Sequence, residues 1–110
     1  MSGITTHILD TARGCPAAGV PLRLDRWDGT WVTLGSGVTN DDGRAPGLFD
    51  QALEAGRYRM TFETGDYFKA LGTRGFYPYA QVVFDIVDTD SHYHVPLLLS
   101  PFGYSTYRGS

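Results

Sequence analysis

Apolar side chains recur at every second position through much of this chain, and that period calls for strands rather than helices. In residues 57–63, Tyr58, Met60 and Phe62 fall on one face while Arg57, Arg59, Thr61 and Glu63 fall on the other, the pattern of a half-buried strand. Residues 80–87 carry Val82, Val83, Phe84, Ile86 and Val87, side chains that suit a pleated surface. Residues 4–10, 20–27, 30–36, 92–100 and 104–108 also suit strands. Asp28-Gly29 is a two-residue hairpin signal, Asp42-Gly43 marks another turn, and Asp88-Thr89-Asp90-Ser91 and Pro101-Phe102-Gly103 separate the last strands. One short helix is predicted over residues 67–71, with Asp66 as its N-cap and Gly72 as its stop. Seven or eight strands at this spacing make an all-β sandwich or a small barrel. Pro96 is the exception, since proline inside a strand belongs at an edge or an irregularity.

The 110 residues suffice for one domain spanning 1–110 and one modest core. They cannot hold a doubly wound nucleotide fold with a second domain. Apolar residues at 42% and aromatics at 14% mark a globular chain. Nine basic and twelve acidic side chains leave a net charge of −3, against the basic surplus of a nonspecific nucleic-acid binder. No apolar run approaches the roughly 18 residues of a spanning helix. Residues 1–10 show no charged segment leading into an apolar one, so no leader is expected. Cys15 is the single cysteine, which rules out an intrachain disulfide. A cytoplasmic chain is the simplest reading.

Three histidines are the main candidates for chemistry: His7, His92 and His94. His92 and His94 stand two apart on a predicted strand and therefore share a face. Histidines facing one pocket can take and return a proton near neutral pH, although from composition alone any one of them reads first as an ordinary surface or hydrogen-bonded residue. A His-x-His pair with a third histidine could also supply zinc, but no cysteine pair or His-Glu motif supports that, and no metal is expected. Arg44, after the Asp42-Gly43 turn, could recognise an anionic or carbonyl-rich ligand through its planar guanidinium. Arg13 and Arg26 compete for that role, and nothing local separates the three. Cys15 sits in a turn-like Arg13-Gly14-Cys15-Pro16 setting and reads as an incidental thiol rather than a nucleophile. No Gly-x-Ser-x-Gly elbow, phosphate loop or dinucleotide fingerprint is present. The aromatic, strand-like ending Tyr104–Ser110 is either a final edge strand or a docked terminus.

These residues resemble the transthyretin-related proteins that are 5-hydroxyisourate hydrolases. The resemblance rests on Thr6-His7-Ile8-Leu9-Asp10, on Asp42-Gly43-Arg44, on Tyr67-Phe68-Lys69-Ala70-Leu71-Gly72, on the run from His92 to Pro101, and on the terminal Tyr107-Arg108-Gly109-Ser110. It covers nearly the whole chain. It implies an eight-stranded antiparallel sandwich of two four-stranded sheets with one short helix, assembled as a homotetramer whose active site lies in a channel between dimers. It implies a site of His7, Arg44, His94 and Ser110, shaped by Tyr107 and Arg108, without metal or other cofactor. His92 shares the face of His94 but ranks second, nearer the channel rim. The implied reaction opens 5-hydroxyisourate, the unstable product of urate oxidation, to 2-oxo-4-hydroxy-4-carboxy-5-ureidoimidazoline. The alternative is a small-molecule or hormone carrier of the transthyretin type. Such a carrier needs no imidazoles and guanidinium in its channel, and the carriers of this family lack the Tyr-Arg-Gly-Ser ending. A sugar-binding or adhesive sandwich has little support, because no leader is expected and a single cysteine forbids an intrachain disulfide.

Overall fold

The computed structural model describes residues 3–110, so the first two residues of the segment read for a leader lie outside it. The elements run β1 (Ile4–Asp10), β2 (Cys15–Pro16), β3 (Pro21–Trp27), β4 (Trp31–Val38), β5 (Gly56–Phe62), α1 (Thr64–Ala70), β6 (Ala80–Ile86), β7 (Tyr93–Ser100) and β8 (Gly103–Thr106). They form two four-stranded sheets, ordered β2-β1-β7-β8 and β4-β3-β5-β6. The architecture is therefore a sandwich and not a barrel.

One pair departs from the antiparallel expectation. β1 and β7 run parallel, with Thr5 opposite His94 and His7 opposite Pro96. These strands come from opposite ends of the chain, so no short hairpin forces them to oppose each other. All other neighbouring pairs are antiparallel.

Alternation decides which faces meet. On β1, Ile4, Thr6, Ile8 and Asp10 are buried while Thr5, His7 and Leu9 lie half-buried on the opposite side. On β7, Tyr93, Val95, Leu97 and Leu99 join the core. Leu22, Leu24, Tyr58, Met60 and Phe62 face them from the second sheet, each such side chain stabilising by roughly 1.5–3 kcal/mol when fully buried. The outward side of β1 and β7 is thus a separate surface, and it carries the histidines.

The helix begins earlier than predicted. Glu63 is its N-cap residue, without a side-chain cap bond, and Asp66 lies in the first turn. An acidic residue there still favours the helix dipole. Gly72 is the stop, as expected, with φ of 70°. Its N–H donates to the Lys69 carbonyl and that of Thr73 to the Phe68 carbonyl, the paired bonds of a glycine-closed helix end.

Pro96 sits in mid-strand because only its β8 side lacks a donor. The carbonyls of Val95 and Leu99 accept from Thr6 Oγ1 and Thr11 N on the β1 side. Those of His94 and Pro96 accept from Gly109 N and Thr106 Oγ1 on the other side. The missing N–H therefore interrupts the β7–β8 ladder and leaves the β1–β7 ladder whole. Among the described residues, no helix is long and apolar enough to cross a membrane.

Candidate active site

Three chain segments converge on the outward face of β1 and β7. The first is β1 itself, which presents Thr5 and His7 by simple alternation. The second is β7, whose His94 stands opposite Thr5. Thr5 Oγ1 lies 2.8 Å from His94 Nδ1 and 2.9 Å from His92 Nε2, so one hydroxyl touches both members of the His-x-His pair. Sequence reading passed over Thr5, although its place two residues before His7 put it on the same face.

The third segment is the turn that carries Arg44. Asn40 organises it: its side-chain oxygen accepts from Asp42 N and Arg44 N, and its N–H donates to the Arg44 carbonyl. Gly43, at φ of 75°, then places its carbonyl 2.8 Å from Ile8 N. A Cβ at Gly43 would meet the Ile8 carbonyl oxygen at 2.3 Å, so glycine is required both by backbone angle and by close approach. This bond anchors the turn to β1 at the residue after His7. Arg44 helps line a hollow of about 220 Å³ with Thr5, Thr6, Ala45 and Pro46.

The chain end closes over His94. β8 pairs with β7 as far as Thr106 opposite Leu97. Tyr107 and Arg108 then have no ladder bond to follow, because Pro96 offers no donor. Gly109 rejoins at the same register, opposite His94, and donates its N–H to the His94 carbonyl at 2.8 Å. A Cβ on Gly109 would stand 2.6 Å from His94 Cδ2, so the glycine lies flat against the imidazole. Ser110, exposed, follows directly. Tyr107 and Arg108, both exposed, line a second hollow of about 250 Å³ with His94, Tyr93 and Phe84. The Arg108 guanidinium stacks 4.4 Å from the Tyr93 ring centre.

The electrostatics of this face are one-sided. Burial pushes the His94 pKa below its ordinary value, and electrostatic interaction with Arg44, His7 and His92 pushes the same way. His94 is thus kept neutral and able to accept a proton. Among the described residues, no three His, Cys, Asp or Glu side chains are grouped so as to hold a metal ion.

The other arginine candidates lie in different settings. Arg13 donates to the Tyr67 hydroxyl, which in turn donates to buried Asp10 at 2.7 Å. Arg26 donates to the Ala55 carbonyl and pairs with Glu54. Cys15 is a partly buried free thiol on β2, paired with Asp10 at the far end of β1.

A model of the HIUase/Transthyretin family matches residues 4–109. The chain is 49% identical to a 5-hydroxyisourate hydrolase of Mus musculus, covering 99% of this chain and 96% of the other. It superposes on the Klebsiella pneumoniae 5-hydroxyisourate hydrolase with a TM-score of 0.87 at 43% identity, over 97% of this chain and 98% of that one. It superposes at least as well on sea bream transthyretin solved in complex with thyroxine, with a TM-score of 0.92 at 36% identity, over 98% and 95% of the two chains. Backbone likeness therefore does not divide hydrolase from carrier, and the site must. The chain belongs to the HIUase/Transthyretin family.

Proposed function

We infer that this protein is a 5-hydroxyisourate hydrolase acting in urate degradation. The observation that carries the reading is the meeting of His7, His94 and Arg44 on one face, with the Gly109-Ser110 end laid against His94. A hormone carrier has no use for two imidazoles and a guanidinium gathered on one face.

The chemistry follows from these residues. Water must lose a proton as its oxygen bonds to the carbonyl carbon of a cyclic amide. The C–N bond then breaks, and the departing nitrogen must gain a proton. His7 and His94 activate the water and transfer the protons. Arg44 binds the substrate and offsets negative charge on the developing oxyanion. Ser110 orients substrate or water through its hydroxyl or its terminal carboxylate, not as an acyl-forming nucleophile, because no sequence motif activates it. Tyr107 and Arg108 shape the pocket. No metal takes part.

The site lies on an open sheet face, where water would weaken each of these interactions. A homotetramer that sets this face against another copy would enclose it, and the unpaired edges of β6 and β8 offer a further contact. A cytoplasmic location suits the unpaired Cys15.

The deciding experiment generates 5-hydroxyisourate in situ from urate and follows its ultraviolet decay. The protein should accelerate that decay. His7→Ala, Arg44→Ala and His94→Ala should each reduce the acceleration roughly a hundred-fold or more, with unchanged circular dichroism and sedimentation. Unaccelerated decay together with tight thyroxine binding would favour the carrier.

A further inference from the structure

We propose that Thr5 is a positioning residue that sets the tautomer of His94, and through it makes His94 Nε2 the base of the reaction. The inference rests on the hydrolase reading and adds to it a residue and a direction of proton transfer.

The argument is one of counting hydrogens. Thr5 Oγ1 has a single hydrogen and two lone pairs. It lies between two ring nitrogens, His94 Nδ1 at 2.8 Å and His92 Nε2 at 2.9 Å. One hydrogen cannot satisfy two nitrogen lone pairs, so at least one ring must donate to the hydroxyl if both contacts are hydrogen bonds. A neutral His94 that donates from Nδ1 leaves its Nε2 lone pair available. The hydroxyl hydrogen is then free to go to His92 Nε2. In the reverse order His92 donates to Thr5, Thr5 donates to His94 Nδ1, and His94 Nε2 carries the hydrogen and cannot act as a base. The two tautomers are coupled through one side chain.

The surroundings hold the ring for that role. Gly109 covers the Cδ2 edge and the Thr5 hydroxyl holds the Nδ1 edge. The titratable and charged groups around it are His7 from β1, Arg44 from the Asn40 turn, His92 from the start of β7 and the terminal carboxylate of Ser110 one residue beyond Gly109. The first three oppose a second proton on the ring. When Nε2 takes the proton of the attacking water, the Nδ1 hydrogen can move toward Thr5 and the Thr5 hydrogen toward His92. The charge is thereby passed to the exposed imidazole. Every hydrogen that leaves one atom arrives at another, and no further reactant is needed.

The test is histidine-labelled nuclear magnetic resonance combined with kinetics. At neutral pH the wild-type protein should show His94 with its hydrogen on Nδ1. Thr5→Val keeps the β-branched shape and removes the hydroxyl. It should move that hydrogen toward Nε2, lower kcat about ten-fold with little change in KM, and alter the acidic limb of the kcat pH profile. Thr5→Ser should restore tautomer, rate and profile together. A wild-type His94 with its hydrogen on Nε2 overturns the proposal, as does a Thr5→Val protein with unchanged tautomer or unchanged kcat. The wild-type spectrum is decisive even if Thr5→Val fails to fold. If the tautomer behaves as stated but the wild-type protein consumes no 5-hydroxyisourate, the hydrolase reading fails while the control of His94 by Thr5 stands.

Discussion

The outward faces of the two sheets treat charge in opposite ways. On β4-β3-β5-β6, Asp25 is only 1% exposed despite facing outward. Arg59 holds its Oδ2 with Nε and Nη2 at 3.1 and 2.9 Å, and Thr33 donates to its Oδ1 at 2.9 Å. Arg59 in turn lies 4.4 Å from the Trp31 ring centre. Burial raises the Asp25 pKa, but the Arg59 and Thr33 hydrogen bonds and the charges of Arg23 and Arg59 outweigh it, so the carboxyl lies below its ordinary value. On β2-β1-β7-β8, by contrast, His7, His94 and Arg44 form no ion pair among the described residues. A sheet that pairs a buried carboxylate so fully shows what a structural charge requires. A face whose His7, His94 and Arg44 side chains are not committed to an internal ion pair is arranged for something that arrives from outside, and a substrate that develops negative charge fits that description.

Substitution on each face sharpens the contrast. Removing His94 or Arg44 should remove activity and leave the fold. Arg59→Ala should do the reverse, because it strands a buried carboxylate with only Thr33 and a longer Arg23 contact of 3.5 Å. The expected cost is about 3 kcal/mol, read from urea unfolding, with the rate per folded molecule within two-fold of wild type. Equal losses of activity on both faces would erase the distinction.

A smaller effect tests how His94 is held. Gly109→Ala places a methyl group where only 2.6 Å separates it from His94 Cδ2. The backbone angle at Gly109 is not in the left-handed region, so the variant's cost comes from contact rather than backbone strain. The imidazole must swing aside, and roughly ten-fold of rate should go with it, while unfolding in urea changes little. A Gly109→Ala protein at full rate would mean that the chain end does not fix the ring.

How far these features could be read from the sequence differs by range. The long strands were legible because alternation is local: Tyr58, Met60 and Phe62 declare their face without reference to any partner. β2 was not, since Cys15 and Pro16 are too few to show a period. Asp25 was hidden by the irregularity between Leu24 and Asp25, where the pairing with β4 shifts by a residue. The helix start was missed because Asp66 looks like a cap, whereas the turn begins at Glu63 without a capping side chain. The site residues were named from their types and from the family resemblance. What joins them depends on the parallel pairing of β1 with β7, which links residues nearly ninety apart. No local pattern could reveal that Thr5 touches both His92 and His94. The same holds for the choice of arginine: Arg13 and Arg26 are engaged by Tyr67 and Ala55, while the Gly43–Ile8 bond anchors the turn of Arg44 to the strand that carries His7.

The weakest expected effect is on stability against pH, and it separates the two faces on one axis. For His94 the folded-state pKa is lowered, so the unfolded chain binds more protons in the window just below its ordinary value near roughly pH 6.5. Stability is therefore complete above that window and is lost as pH falls through it. Asp25 is also lowered, and the same sign applies, but its window begins near the ordinary carboxylate value of 3.8 and extends downward. Urea midpoints measured from pH 8 to pH 3 should thus fall in two stages, a shallow one near pH 6 and a steeper one in acid. His94→Gln should flatten the first stage alone, and Asp25→Asn the second alone. The first stage should be slight, because His94 is only half-buried and water screens part of its penalty. If His94→Gln leaves the first stage in place, the proton responsible belongs to another group. The imidazole would then not be held neutral by this face, and the argument for His94 as an acceptor would lose its electrostatic half.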